Sequence, residues 1–223
     1  MSMMSVKWTM SALALGLAGC ATQAVGTTTG QGVPAGPGSG AWPVSDTFTP
    51  QASLNVCPGM IASNLPPREA DGRLIDYSPF IRVEGVVLSV APVNGACLSS
   101  GFGVRSGKLH KGIDLFSREP IPIYAAADGR VLEAGYRDDY GYYAVIDHGR
   151  GVYTRYAHFS ALDAKMNQEV PFGTYLGLMG NTASYRIPIH LHYEVLTGDY
   201  DTPKQSFGLS PVDPLSQVFV PAN

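Results

Sequence analysis

The feature that most constrains the fold of this chain is a series of short runs rich in Val, Ile, Tyr and Phe, which begins at Phe80. The runs read FIRVEGVVLSV, GRVLEAGY, YYAVIDHG, VYTRYAHF and HLHYEVL, and the segments between them contain Gly, Asp or Pro. Such runs are typical of β-strands joined by turns. Only one segment after residue 80, Ser160–Lys165, has even a weak helical pattern. We therefore predict an all-β domain.

The charge of the chain argues against nucleic acid as a partner. The formal net charge at pH 7 is -3, and Lys and Arg form no run anywhere in the sequence. Proteins that bind nucleic acid usually carry a basic patch or stripe that neutralises phosphates. We therefore expect a different class of substrate.

Residues 1–19 have the pattern of a secretory signal peptide. Lys7 precedes an apolar stretch over residues 8–18, which is about half of the ~20 residues that a membrane-spanning helix needs. The stretch ends in LAGC, which resembles a bacterial lipobox, in which the peptide is cut before the cysteine and the cysteine is lipidated. The alternative is an ordinary signal peptide with an incidental cysteine. We expect lipidation of Cys20. Ala21 rather than Asp follows it, which by resemblance to lipoproteins of Gram-negative bacteria implies a periplasmic protein anchored to the outer membrane.

The rest of the chain is predicted to have three parts. Residues 20–50 are rich in Gly, Thr, Pro and Ala and are predicted to be a flexible tether that starts at the lipidated cysteine. Residues 51–95 begin with a proline-containing stretch that excludes long helices, and they are predicted to be an irregular lead-in. Residues 96–215 are predicted to be the folded domain.

The three cysteines are consistent with export. With Cys20 assigned to lipid, Cys57 and Cys97 remain as an even pair. An oxidising compartment would allow a disulfide between them, which would close a loop of about forty residues and stabilise the fold by about 3–4 kcal/mol. The alternative is two separate buried thiols, and the sequence leaves both open.

The five histidines, at positions 110, 148, 158, 190 and 192, all lie in the β-rich region. Side chains alternate between the two faces of a strand, so His190 and His192 would point the same way with Cα atoms about 6.6 Å apart. A second motif pairs His110 with Asp114, which would lie about 13 Å apart in a straight strand, too far for ligands of one metal ion. We therefore predict a bend between them, which Gly112 would allow.

Two histidines and one carboxylate make a three-ligand set that leaves a position open for water, as in catalytic zinc sites. Two more histidines, among them His158, would then be available for proton transfer and charge stabilisation. The alternative is a set of unrelated surface and core histidines, which requires several coincidences.

From Ser99 to Leu196 the chain resembles the catalytic domain of the lysostaphin-type, or LytM-type, zinc endopeptidases. The segment SGFGVRSGKLHKGIDL resembles the opening motif, IPIYAAADGRVLEAGY the strand pair that follows, YGYYAVIDHGRGVYTRYAHFS the segment with the middle histidine, and IHLHYEV the closing motif. The four occur in the order that the family has. The resemblance implies an antiparallel β-sheet fold of the LytM/lysostaphin type, a duplicated hybrid motif.

Carried over position by position, the resemblance implies that His110, Asp114 and His192 bind one Zn2+ ion. It implies that His190 is the general base or acid, and that His158 positions the water or stabilises the oxyanion. The implied activity is that of a zinc metalloendopeptidase, a murein hydrolase that cuts the peptide cross-bridges of peptidoglycan in cell-wall remodelling. For a Gram-negative source, the resemblance suggests the bond between D-alanine and meso-diaminopimelate.

Two loops depart from the usual family sequence. SREP, before Ile121, replaces a segment in which Gly is common, and NTASYRIP precedes the closing motif. Both could form walls of a substrate groove, and Tyr185 and Arg186 are candidate substrate contacts. The alternative for these two residues is a solvated loop. His148, in the sequence DHG, is expected to have a role in a turn or a hydrogen bond.

The main alternative function is a non-enzymatic activator of murein amidases, because some LytM-type domains have lost metal ligands and act by binding a protein. This chain keeps all three candidate ligands and both further histidines, which favours an enzyme. A carboxypeptidase-like relative usually has more widely separated His and Asp ligands and is a third alternative. We expect peptidoglycan as substrate, a membrane contact through the lipid, and a regulatory protein as a further partner to consider. Residues 51–80 could cover the groove and make the enzyme latent.

Overall fold

A computed structural model of the protein describes residues 47–216. The expected signal peptide, the lipidation of Cys20 and most of the expected tether lie outside these residues. The described part has fourteen strands and one 3-10 helix. They are β1 (Phe80–Val83), β2 (Val86–Ser89), β3 (Cys97–Ser100), β4 (Gly103–Arg105), β5 (Lys108–His110), β6 (Ile113–Phe116), β7 (Pro122–Tyr124), β8 (Gly129–Arg137), β9 (Gly141–Asp147), β10 (Val152–Leu162), β11 (Glu169–Val170), β12 (Tyr175–Met179), β13 (His190–Thr197), the 3-10 helix (Gln205–Gly208) and β14 (Ser210–Val212).

The strands form one large sheet and two hairpins. The large sheet has ten strands, and its main path runs β11-β8-β9-β10-β13-β6-β3, with β12 on β10, β7 on β12 and β14 on β13. The strand pairs β1-β2 and β4-β5 form the hairpins. Every strand pair in the described part of the chain is antiparallel, so the predicted all-β, antiparallel fold is confirmed.

The weak helical pattern over Ser160–Lys165 does not form a helix. Its first three residues are the end of β10, and the residues after them are irregular. Phe159 and Leu162 pair with β12, so sheet hydrogen bonds overrule the local pattern. No helix between residues 47 and 216 is long and apolar enough to cross a membrane.

The segment predicted to be an irregular lead-in, 51–95, is partly regular. The β1-β2 hairpin lies within it, and residues before β1 contribute only isolated β-bridges. Leu54, Val56 and Leu74 belong to the same buried apolar cluster as the strands of the main sheet. Burial of these side chains therefore joins the lead-in to the domain, because apolar surface is stabilised by its removal from water.

Cys57 and Cys97 are joined by a disulfide in the structure. The bond connects the lead-in to β3, next to a pair of backbone hydrogen bonds that involve Leu98. The Cys57 amide donates to the Leu98 carbonyl, and the Leu98 amide donates to the carbonyl of Asn55. The lead-in is therefore held against the edge strand of the main sheet by both covalent and hydrogen bonds.

Strand β10 changes partner at a bulge centred on His158. Residues up to Ala157 pair with β13, whereas Phe159 and the residues after it pair with β12. His158 has a φ of 67°, in the left-handed region that non-glycine residues rarely adopt. Regular alternation would place His158 on the face opposite Ala157, the face of the buried Tyr156. The bulge turns the histidine ring to the other face of the sheet.

Strands β6 and β13 pair side by side, with Asp114 directly opposite His192. Gly112 precedes β6, and a Cβ atom at this position would collide with the backbone carbonyl of Tyr193. The backbone of Gly112 is not in the left-handed region, so its role is close approach between chains rather than an unusual turn. The predicted bend between His110 and Asp114 exists, since β5 ends before Gly112 and β6 begins after it.

Candidate metal centre and groove

Three side chains from three strands meet at one point on the sheet face. The Nε2 atom of His110 lies 3.0 Å from Oδ1 of Asp114 and 3.1 Å from Nδ1 of His192. The third side of this triangle, from His192 Nδ1 to Asp114 Oδ1, is 2.9 Å. These are the three residues for which the resemblance implied metal binding, and the structure brings them together.

The outer hydrogen bonds of the two rings determine which nitrogen carries hydrogen. Nδ1 of His110 lies 2.6 Å from the Gly101 carbonyl, which can only accept, so Nδ1–H is the donor. Nε2 of His192 lies 3.0 Å from the Glu194 carboxylate and donates to it in the same way. When it is neutral, each ring therefore presents the lone pair of its other nitrogen to the space beside Asp114, as metal-binding histidines do.

The donor set fits a divalent metal ion such as Zn2+. Two nitrogen lone pairs and a carboxylate oxygen at this separation repel one another unless a cation balances them. In a tetrahedral zinc site, ligand distances of about 2.0–2.2 Å place neighbouring donor atoms roughly 3.3–3.6 Å apart. The observed separations of 2.9–3.1 Å are close to that range. Two imidazoles and one carboxylate are also the ligand types of catalytic rather than structural zinc.

Negative charge dominates the surroundings of His192. Burial lowers the pKa of its ring, but hydrogen bonds to Asp114 and Glu194 outweigh burial and raise the pKa to about 9. Burial raises the pKa of Asp114, but without a metal ion hydrogen bonds from protonated His110 and His192 outweigh burial and hold that pKa well below its usual range. A place that stabilises a proton in this way also attracts a metal cation, which competes with the proton.

His190 and His158 lie beside the three-residue cluster. Nε2 of His190 is 3.8 Å from Oδ1 of Asp114, and the rings of His190 and His158 have centroids 4.6 Å apart. Nδ1 of His190 donates to the Pro188 carbonyl at 2.9 Å, and Nδ1 of His158 donates to the Thr182 carbonyl at 2.8 Å. In each ring the hydrogen bond to a carbonyl leaves the lone pair of Nε2 available to the site.

Burial favours the neutral form of both rings. Burial is the largest cause that lowers the pKa of His190 below its ordinary value. Burial and then the charge of His190 lower the pKa of His158 to about 4. A neutral imidazole can accept a proton, which is what a general base requires.

The cluster lies in an open groove of about 750 Å³. Tyr185 lines this groove and is 57% exposed, whereas its neighbour Arg186 is not among the described residues that line it. Met60 is the one residue of the range 51–80 that lines the groove, so the described lead-in borders the groove and does not cover it. His148 lies outside it and hydrogen-bonds the Asp128 carbonyl and the Thr154 hydroxyl, in agreement with the expected role.

The groups that support the ligands were not predicted from the sequence. Glu194 lies on β13 two residues after His192, so strand alternation puts both on one face, and this spacing could have identified it. Its carboxylate contacts His192, the hydroxyl of Tyr140 at 2.8 Å and the guanidinium of Arg155 at 2.5 Å. Arg155 is 1% exposed. Neither tyrosine nor arginine has a sequence signal that links it to the site, because each depends on the pairing of separate strands.

Comparison with known proteins agrees with this site. The model of peptidase family M23 matches residues 108–205, which include every residue of the candidate metal centre. The DD-carboxypeptidase/endopeptidase Mpg of Neisseria meningitidis serogroup B is 33% identical over 132 residues, which are 56% of this chain and 29% of the relative. The peptidoglycan DD-endopeptidase ShyA of Vibrio cholerae is 39% identical over 87 residues, 39% of this chain and 20% of the relative.

Among solved structures, a zinc-containing peptidase from Vibrio cholerae has 29% sequence identity and a TM-score of 0.49, over 57% of this chain and 39% of that one. The chain spans less than a third of the length of the curated relatives named above. The match to the family model confirms the resemblance that the motifs carry. Residues 108–205 are therefore similar to the domain of peptidase family M23.

Proposed function

We propose that this chain is a zinc-dependent endopeptidase that hydrolyses peptide cross-bridges of peptidoglycan. The observation that carries the proposal is the convergence of His110, Asp114 and His192, with two further histidines beside them in an open groove. A metal-ligand set alone would also suit a structural ion. The further histidines and the open groove are what a hydrolytic site needs.

The residues of the chain have separate tasks in this proposal. The three ligands would hold Zn2+, which would make water acidic enough to lose a proton near pH 7 and would polarise the scissile carbonyl. His190 accepts the proton of the attacking water at Nε2 and returns it to the leaving amine. His158 holds its Nε2 towards the same space, where it positions the water or stabilises the oxyanion.

The bond that we propose as the target joins D-alanine to meso-diaminopimelate. The relatives from Neisseria meningitidis and Vibrio cholerae support this choice, since their names describe DD-endopeptidases. The alternative, a non-enzymatic activator of amidases, requires no metal. The retained ligand set favours the enzyme over the activator.

The test measures bound metal and digests isolated peptidoglycan with the soluble protein from residue 21 onward. We expect about one zinc per chain, conversion of cross-linked dimers to monomers, loss of activity with a chelator and recovery when zinc is added. His192→Ala should abolish the conversion. His148→Ala is the matched control, because it removes a histidine that hydrogen-bonds outside the groove. If the wild-type protein shows neither bound zinc nor turnover, the activator is favoured.

We also propose that the protein lies in the periplasm, anchored to the outer membrane through lipid on Cys20. The sequence LAGC after an apolar stretch supports the anchor, and the disulfide between Cys57 and Cys97 agrees with an oxidising compartment. Fractionation of cells that produce the wild-type protein or Cys20→Ala tests it. Equal amounts of both in the soluble periplasmic fraction would contradict the anchor.

A further inference from the structure

We propose that Asn64, in the lead-in before the family-matched region, is a positioning residue for the metal centre. The inference rests on the proposed metal site. Asn64 contacts neither the groove centre nor a candidate ligand directly. It holds two groups, the Gly101 carbonyl and the Ser100 hydroxyl, through which two of the three ligands are oriented.

The first arm of this network reaches His110. The side-chain amide of Asn64 donates a hydrogen bond to the Gly101 carbonyl, the same oxygen that accepts from Nδ1–H of His110 at 2.6 Å. Both donors bind one buried oxygen, so Asn64 fixes the position of the acceptor that orients the ring. Gly101 permits this approach, because a Cβ atom there would collide with the backbone carbonyl of Asn64.

The second arm reaches Asp114. Asn64 contacts the Ser100 hydroxyl through both its amide nitrogen, at 3.1 Å, and its carbonyl oxygen, at 3.2 Å. The same hydroxyl accepts a hydrogen bond from the Arg105 guanidinium at 2.7 Å, and that guanidinium contacts Oδ2 of Asp114 at 3.2 Å. The oxygen Oδ1 of Asp114 is thus left to face the two histidine nitrogens.

The lead-in is attached closely enough to give Asn64 a defined place. The Cys57–Cys97 disulfide joins it to β3, the strand that ends at Ser100. Val56 bridges to Leu98 on the same strand. Outer partners of metal ligands typically change metal affinity about 10- to 100-fold when they are removed. The structure therefore assigns part of the metal affinity to a residue that lies before the domain matched by the family model.

The test compares Asn64→Leu, which keeps the approximate volume but removes both hydrogen-bonding groups, with Asn55→Leu as the matched control. Asn55 lies in the same segment, and its side chain makes no hydrogen bond to any residue between 47 and 216. Zinc affinity is measured by competition with a chromophoric chelator, and the visible spectrum of the Co2+-loaded protein reports the ligand geometry. Thermal unfolding in the presence of a chelator measures the stability of each variant without metal. If Asn64→Leu does not fold, Asn64→Ala replaces it in the comparison.

We expect Asn64→Leu to bind zinc about 10- to 100-fold more weakly than Asn55→Leu and to show an altered Co2+ spectrum. Equal zinc affinity and equal Co2+ spectra for the two variants would overturn the positioning role. A lower melting temperature without a change in affinity would also overturn it, since that is the result of a merely structural residue. Absence of zinc binding by the wild-type protein would instead overturn the proposed metal site itself.

Discussion

Replacement of Glu194 by Gln tests how the buried charges behind the metal centre are balanced. The carboxylate of Glu194 is fully buried and contacts the guanidinium of Arg155 at 2.5 Å and the ring of His192 at 3.0 Å. Burial raises the pKa of Glu194, but hydrogen bonds and charges, that of His192 first, outweigh burial and lower the pKa to about 2. Glutamine has almost the same shape, but it removes the charge and replaces one acceptor oxygen with an NH2 donor.

The magnitude follows from what remains around Arg155. Its guanidinium keeps a hydrogen bond to the Ser206 hydroxyl and lies 4.3 Å from the ring centroid of Phe207, but it loses its counterion. Breaking a buried ion pair on one side costs about 3–5 kcal/mol. The contact with the aromatic face is present with either residue at position 194, so it does not change this figure. We expect a loss of about 3 kcal/mol, which for a domain of this size lowers the melting temperature by about 6–12 °C.

The assay is urea unfolding of the disulfide-bonded protein in the presence of a chelator, so that metal binding does not contribute. Glu119→Gln is the matched control, because Glu119 is exposed and forms no ion pair with any residue between 47 and 216. The double variant Glu194→Gln, Arg155→Met removes both charges and should regain part of the lost stability. Zinc affinity, measured separately, should fall about 10- to 100-fold, since His192 loses the carboxylate that orients it.

Two results would refute this reasoning. A loss below about 1 kcal/mol for Glu194→Gln would mean that solvent or another group neutralises Arg155, contrary to its burial. A double variant less stable than Glu194→Gln would mean that Arg155 stabilises the fold through its packing and aromatic contacts rather than through the carboxylate.

Three further predictions concern single side chains. His190→Ala should lower kcat about 10²- to 10⁴-fold with zinc affinity changed less than about threefold, and an equal loss of zinc would contradict its role in proton transfer. Gly112→Ala should lower the free energy of unfolding by about 1–3 kcal/mol, because the new Cβ meets the Tyr193 carbonyl; unchanged urea unfolding would contradict the close approach. Tyr185→Ala should raise KM roughly fivefold on purified muropeptides through loss of an aromatic contact. Arg186→Ala should leave kcat/KM within about twofold. A larger effect of Arg186→Ala than of Tyr185→Ala would contradict the prediction that Tyr185 is the residue that forms the groove wall.

The strand-rich composition was sufficient to predict the fold class, whereas the resemblance of four motifs to a known family implied which residues form the candidate metal centre. Strand alternation is a local property, so the shared face of His190 and His192 follows from two positions in one short run. The family match over residues 108–205 agrees with the motifs that lie inside it. The same alternation would have included Glu194, two residues further along the strand.

Contacts between distant strands were decided only by the tertiary structure. Asp114 and His192 are 78 residues apart in the chain, and their distance depends on the register of β6 against β13. His158 faces the site because β10 changes partner there and His158 itself has a left-handed backbone conformation. The regular alternation of side chains along a strand does not predict this orientation. Asn64 reaches the ligands only because the lead-in packs into the core and is joined to β3. Local patterns determine which way a side chain points along a strand, whereas pairing, bulges and packing determine which side chains meet.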